Sequence, residues 1–332
     1  MDKFDALLIE QKDKQVSSSW VKLDVTQLDV GNVFIRVAYS SINYKDALAA
    51  TGAGKIVRRF PCVGGIDLAG YVVDGGDSGF KPGDAVVATS YDIGVAHHGG
   101  YADYARVPAQ WVLPLPTGLS LQDAMALGTA GFTAALGVTR MEQNGLSPEK
   151  GPVIVTGATG GVGSLAIDML ATKGYAVTAL TGKVAEAAYL KDLGASEVLM
   201  RQDLDFSKIR PLDAARWAGA VDNLGGDVLA WICSTMKPWG TIASIGLAAS
   251  HTLNTTVMPF ILRGVSLLGI DSGYVDQPLR GEVWQRLATD LKPRHLDAVT
   301  TVIGKKSLPE YFQNFLEGRI KGRVVVKISG DA

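Results

Sequence analysis

Apolar and polar positions along the first hundred residues fall in short alternating runs. Val33–Ser40, "VFIRVAYS", has the two-residue period of a half-buried strand. "DLAGYVVDGG" and "GDAVVATS" are apolar runs bounded by Gly, Asp and Pro, as strands between turns are. Pro61, Pro82, Pro108, Pro114 and Pro116 interrupt this region and disfavour long helices. Near residue 120 the period lengthens. "SLQDAMALGTAGFTAALGVTRMEQNG" has helical spacing, and Ser120 with Asp123 three residues on predicts an N-terminal capping box.

From there strands and helices alternate. "PVIVTG" predicts a fully apolar strand, Gly161 to about Lys173 a helix, and "YAVTAL" the next strand. "AEAAYLKDLGA", "SEVLM", "AGAVDNLGG", a helix near Val228–Met236 and "GTIASIGL" continue the series. "GVSLLGI" reads as one more strand and "GEVWQRLATDL" as a further helix. The tail, "LPEYFQNFLEGRIKGRVVVKIS", reads as helix, glycine turn and strand. Such alternation predicts an α/β protein with a doubly wound parallel sheet of the Rossmann type. The β-rich start forms a second domain, to which the tail is expected to return.

Composition adds exclusions. A net charge of −1 gives no reason to expect nucleic acid or a membrane surface. No run of eighteen apolar residues suggests a membrane span, and "MDKFDALLIE" does not read as a signal peptide. Cys62 and Cys233 stand far apart with no Cys-x-x-Cys, so neither a disulfide framework nor a structural zinc lobe is expected. A reducing cytoplasm suits such a chain.

The strongest local signal is "VIVTGATGGVGSLAIDML". It follows an apolar strand and opens a helix, the context in which a Gly-x-Gly-x-x-Gly turn binds a dinucleotide. Ala158 holds the first glycine's place, and Gly160 and Gly163 hold the others, with Thr159, Gly161 and Val162 between and beside them. Gly160 lets backbone N–H groups approach a pyrophosphate. Gly163 lets the helix pack closely on its strand, and the helix N-terminus favours the phosphates. About twenty residues on, an acid is expected to hold the ribose of NAD. Thr181, Gly182 and Lys183 stand there instead. A hydroxyl donor and a cation suit a 2′-phosphate, so the expected cofactor is NADPH. Arg201, after the following strand, adds a second cation or a stacking surface for adenine.

Several further stretches resemble one family: "SSINYKDALAATGAGKIVRRFPCVGGIDLAG", "GTAGFTAAL", "VTGATGGVGS", "LKDLGAS", "TTVMPFILRGVSLLGIDS" and "KGRVVVKI". The chain is similar over essentially its whole length to the medium-chain dehydrogenase/reductase superfamily. Within it the chain resembles the quinone-oxidoreductase branch, most of all the NADPH-dependent acrylyl-CoA reductases. The resemblance implies a GroES-like catalytic domain over 1–124 and 299–332 and a Rossmann domain over 125–298. It implies a cleft between them and a homodimer joined through the Rossmann domains. Zinc-dependent members place a Cys, a Gly-His-Glu and a further Cys or Asp around a metal. Here the second element reads Gly65-Ile66-Asp67 and "AYSSINYKD" offers no cysteine, so no zinc is expected. His97 and His98, in "GVAHHGGY", are expected as exposed loop histidines or at the substrate entrance.

Without a metal the substrate must itself carry the charge that follows hydride addition, as an α,β-unsaturated thioester or ketone does through an enolate. "INYKD" supplies candidates: Asn43 for a polar substrate oxygen, Tyr44 as hydrogen-bond donor or cofactor contact, Lys45 for positive potential at the substrate, Asp46 to orient a neighbour. The same residues also read as a helix N-terminus with capping and surface roles. Thr129 and Thr133 are candidates for the nicotinamide side, or for helix capping. The resemblance adds Gly246, Leu247 and Arg323 at the cofactor. For the phosphates of a CoA substrate, Arg263 and the basic loop of Lys55, Arg58 and Arg59 are the available cations. Reduction of acrylyl-CoA to propionyl-CoA is the leading expectation. A quinone or enone reductase is the second, and a non-catalytic NADPH-binding crystallin-like or RNA-binding protein the third.

Overall fold

The computed structural model describes residues 3–330, which divide into two compact units. The first comprises residues 1–129, 273–282 and 296–332. Its larger sheet runs in the order Thr300–Gly304, Arg323–Lys327, Val33–Ile42, Asp67–Asp74, Ala85–Thr89, Val112–Pro114, with Tyr104–Val107 also pairing with Val33–Ile42. A smaller sheet pairs Gln15–Leu23, Phe4–Lys12 and Cys62–Val63. The C-terminal strand does return here: Val324 lies opposite Ile42 and Val326 opposite Ser40, antiparallel. Ile35, Val37, Leu68, Val86, Val324 and Val326 alternate into one core under the sheet. Asn43 caps the helix Tyr44–Thr51, whose Ala47, Ala49 and Ala50 bury in that same core beside Phe312 of the helix Leu308–Leu316.

The second unit comprises residues 130–272 and 283–295. Its six strands are all parallel, in the order Glu197–Met200, Val177–Thr181, Val153–Thr156, Trp217–Asp222, Met236–Ser244, Ser266–Gly269. Numbered along the chain this is 3-2-1-4-5-6, the order of a dinucleotide-binding sheet. Its strands read as continuous apolar runs because helices cover both faces of such a sheet. The segment 273–282, which the resemblance places within the Rossmann span, clusters with the first unit.

The predicted capping box forms: the Ser120 Oγ accepts from the Asp123 N–H, and the Asp123 carboxylate accepts from the Ser120 N–H, both at 3.0 Å. It opens the helix Leu121–Gln143, which is broken at Gly128, where φ is +51° and ψ −155°. A Cβ at Gly128 would stand 2.7 Å from Asp67 Oδ2, 2.8 Å from an Arg323 nitrogen and 2.9 Å from Ser41 Oγ. Only glycine therefore fits both the backbone and the space.

Candidate functional site

In the first unit the stretch "INYKD" sits over a buried charged cluster. The Asp67 carboxylate accepts from Ser41 Oγ at 2.6 Å, Asn43 Nδ2 at 2.8 Å, the Thr129 N–H at 3.0 Å and Thr129 Oγ1 at 2.5 Å. Arg323 is fully buried beside it. Its guanidinium donates to the carbonyls of Ala126 and Ile42, to Asn43 Oδ1 and to Ser41 Oγ. Burial pulls the Arg323 guanidinium below its usual value, against the pull of Asp67 and Asp46. Asp46 accepts the Asn43 N–H at 2.8 Å and the Ile66 N–H at 2.9 Å. Burial, and then the charge of Asp67, push its carboxyl up to about 7. Tyr101 closes the cluster by donating to the Ser41 carbonyl at 2.9 Å, with its own phenol pushed well up by burial.

The expected residues thus take different places. Tyr44 and Lys45 are exposed, Tyr44 at 53%. Asn43 is buried, and its amide is engaged on both sides by Asp67, Asp46 and Arg323. It holds the helix start that carries Tyr44. Arg323 lies inside the cluster as the counter-ion of two carboxylates. Ser41, Ser90 and Tyr101, which no motif marks, belong to the constellation, as does Asp67 of the Gly65-Ile66-Asp67 element. Ser90, held at a φ of +64°, sets its Oγ 3.0 Å from Thr129 Oγ1. The signal available in the sequence was Asp67 and Arg323 in apolar strands, since an unpaired charge is almost never fully buried.

Two expectations change. His97 and His98 are not exposed: they are 8% and 7% accessible. His98 Nδ1 accepts the Val63 N–H at 3.0 Å and His97 Nε2 lies 3.1 Å from the Val30 carbonyl, so main-chain bonding holds both rings inside. Burial pushes His98 below its ordinary value. The basic loop is not a free cation patch, because Arg58 pairs with Asp92 and Arg59 with Asp29. In the second unit Arg263 turns its guanidinium onto the carbonyls of Ser234, Met236 and Asp213. There it ties off three main-chain acceptors.

The glycine turn of the second unit takes the shape its sequence predicts. Gly157 has φ +56°, and the helix Gly161–Thr172 starts from Gly160. A Cβ on Gly163 would run into the Gly157 carbonyl oxygen, which is the close helix–strand approach expected of the third glycine. The first-turn N–H groups of the helix have no acceptor four residues back and point out of its N-terminus. Thr181 ends the neighbouring strand. Its Oγ1 accepts the Lys183 N–H at 3.0 Å, and the hydroxyl remains able to donate. Met200 pairs with Thr181, so Arg201 emerges beside Gly182; its Nε lies 4.0 Å from where a Gly182 Cβ would stand. The Thr181 hydroxyl, the Lys183 backbone and the Arg201 side chain therefore lie at the ends of two adjacent strands. At the reversal of strand order, Thr156 Oγ1 donates to Asp222 at 2.8 Å, and Ile245 and Gly246 donate to the Asp222 carbonyl. This places Gly246 and the exposed Leu247 at the carboxyl ends of the strands, where such sheets bind ligands. Thr133 donates to Ser272 Oγ at 2.7 Å.

Among the described residues no group of three or more His, Cys, Asp or Glu is arranged to hold a metal ion. Nor, among the described residues, is any helix long and apolar enough to cross a membrane.

A parallel sheet in this order, with this glycine turn at the start of its first helix, defines the architecture of a dinucleotide-binding domain. Residues 29–117 match the alcohol dehydrogenase GroES-like domain and residues 161–291 the zinc-binding dehydrogenase model. The chain is 49% identical to "Putative quinone oxidoreductase YhfP" of Bacillus subtilis, over 98% of this chain and 99% of that one. It is 44% identical to the acrylyl-CoA reductase AcuI of Ruegeria pomeroyi, with the same two coverages. The crystal structure of the Salmonella enterica yhdH oxidoreductase in complex with NADP superposes with a TM-score of 0.95 at 44% identity, covering 98% of this chain and all of that one (100%). The Bacillus subtilis yhfP structure with NAD bound gives 0.96 at 49%, with the same coverage. The chain belongs to the medium-chain dehydrogenase/reductase superfamily, in its quinone oxidoreductase branch.

Proposed function

We propose that the protein is a zinc-independent, NADPH-dependent reductase of the C=C bond of an α,β-unsaturated thioester, with acrylyl-CoA as substrate and propionyl-CoA as product. The observation that carries this reading is an exposed Tyr44 on a helix start that is held by a buried Asp67–Arg323–Asp46 cluster, with Ile66 where zinc-dependent members carry a histidine. The second unit fits NADPH: the N–H groups beside Gly160 suit the pyrophosphate, and Thr181, Lys183 and Arg201 suit the 2′-phosphate. When bound, NADPH supplies the hydride for the β-carbon of the substrate. Negative charge then develops on the thioester oxygen, and Tyr44 donates a hydrogen bond to it. Asn43, fixed by Asp67, Asp46 and Arg323, orients the turn that presents Tyr44.

A 1,2-quinone is the competing acceptor, in line with the name of the Bacillus relative. The test is the ratio of kcat/KM for NADPH oxidation by acrylyl-CoA and by a 1,2-quinone, measured in the presence of EDTA. Acrylyl-CoA should lead by roughly tenfold or more, with activity intact under chelation. A higher value for the quinone, or loss of activity to the chelator, would overturn the corresponding half of the proposal.

We further propose a homodimer formed through the second unit, in a reducing compartment where the buried thiols of Cys62 and Cys233 stay free. Ser266–Gly269 ends the six-stranded sheet, and the nearby Ile261 and Leu262 are exposed at 71% and 60%. Analytical ultracentrifugation of Ile261→Glu/Leu262→Glu should show a smaller species than the parent. A parent that sediments as a monomer at micromolar concentration would exclude the dimer.

A further inference from the structure

We infer that Asp46 is a positioning residue that must be ionised for Tyr44 to act, and that it makes the enzyme's turnover respond to pH through the buried cluster. This deepens the reading given above and rests on it for the role of Tyr44.

The geometry is specific. Asp46 Oδ2 accepts the Asn43 N–H at 2.8 Å and Asn43 Nδ2 at 3.2 Å, while Oδ1 accepts the Ile66 N–H at 2.9 Å. All three partners are donors, so each bond is charge-assisted while the carboxylate is ionised. A proton on either oxygen removes that charge and weakens the bonds that fix the residue before Tyr44 and the start of the Asp67 strand.

The cluster is also short of positive charge. The groups that bear on Asp46 are Asp67 from its strand, Arg323 from the closing strand and the Tyr101 phenol. On its own helix Lys45 is exposed, and Glu310 of the packed helix Leu308–Leu316 points to solvent. Two buried carboxylates thus share one buried cation. Asp67 receives four hydrogen bonds on its carboxylate and Asp46 three, and burial and then the charge of Asp67 push the Asp46 carboxyl up to about 7.

Stability and turnover should therefore respond to pH in opposite directions. The folded-state value lies above the ordinary 3.8, so the folded protein binds this proton more tightly than the unfolded chain. The contribution of Asp46 to stability is present at low pH and falls as pH rises from about 4 through about 7. The positioning bonds strengthen over the upper part of that range. A residue with only a structural role would not raise kcat while stability falls.

The test has two parts, both on the full chain. Backbone amide shifts of Asn43 and Ile66 in the protein without substrate should titrate together near pH 7, and Asp46→Asn should abolish that titration. The kcat profile between about pH 5.5 and 8.5 should show an acid limb with the same midpoint, on whichever acceptor, acrylyl-CoA or quinone, the enzyme reduces. Asp46→Asn should flatten the limb and lower the plateau kcat about tenfold or more. Asp67→Asn should shift the limb to lower pH. An amide titration absent from the parent, or an acid limb unchanged in Asp46→Asn, overturns the inference. Failure of both acceptors to oxidise NADPH would instead sink the functional reading, with the amide titration standing apart.

Discussion

Tyr44→Phe should lower kcat about thirty- to a thousand-fold and leave the affinity for NADPH nearly unchanged. Hydride addition to an enoyl thioester moves charge onto the thioester oxygen, and a donor that meets this charge acts mainly in the transition state. Loss of such a donor costs about 2–4 kcal/mol of activation free energy. Tyr44 stands on the first turn of a helix whose start is fixed by Asn43 and Asp46, yet its own side chain is half exposed. Its hydroxyl can donate without carrying a charge of its own. Phenylalanine keeps the ring, so packing and stability should hold. Steady-state kinetics with a thermal melt separates the cases. A well-folded variant with kcat within about threefold of the parent would return Tyr44 to a pocket-shaping role.

Lys183→Ala should weaken NADPH binding roughly ten- to a hundred-fold while changing NADH binding little. The expected loss is about 1.5–3 kcal/mol, the contribution of one charge-assisted contact to the 2′-phosphate. Thr181 ends its strand with the Oγ1 held by the Lys183 N–H, and Arg201 emerges beside Gly182. The parent should accordingly prefer NADPH over NADH. Fluorescence titration with both nucleotides decides it: equal affinities in the parent, or equal losses in the variant, would remove Lys183 from phosphate recognition.

The sequence by itself determined the architecture of the second unit and the shape of its glycine turn. Apolar period, cap and turn residues are local properties, and the capping box at Ser120 and Asp123 formed as its three-residue spacing required. The turn at Gly157–Gly163 was legible for the same reason: strand, glycines and helix are contiguous, and backbone sterics leave little choice. The alternation of strands and helices also predicted that the strands before Thr181 and Arg201 run parallel, and Met200 does lie opposite Thr181.

Only the tertiary structure decided the charged cluster. Arg323 meets Ser41 across 282 positions and Asn43 across 280, and no local pattern encodes such a pairing. His97 and His98 look like loop residues in sequence, yet main-chain groups brought up by the fold bond to their rings and bury them. Arg58, Arg59 and Arg263 look like free cations, and each found a partner distant in sequence. The break at Gly128 follows from the same cluster, since Asp67, Arg323 and Ser41 fill the space a side chain would need. Burial and ion pairing are set by which chain segments approach one another, and that approach exists only in the folded protein.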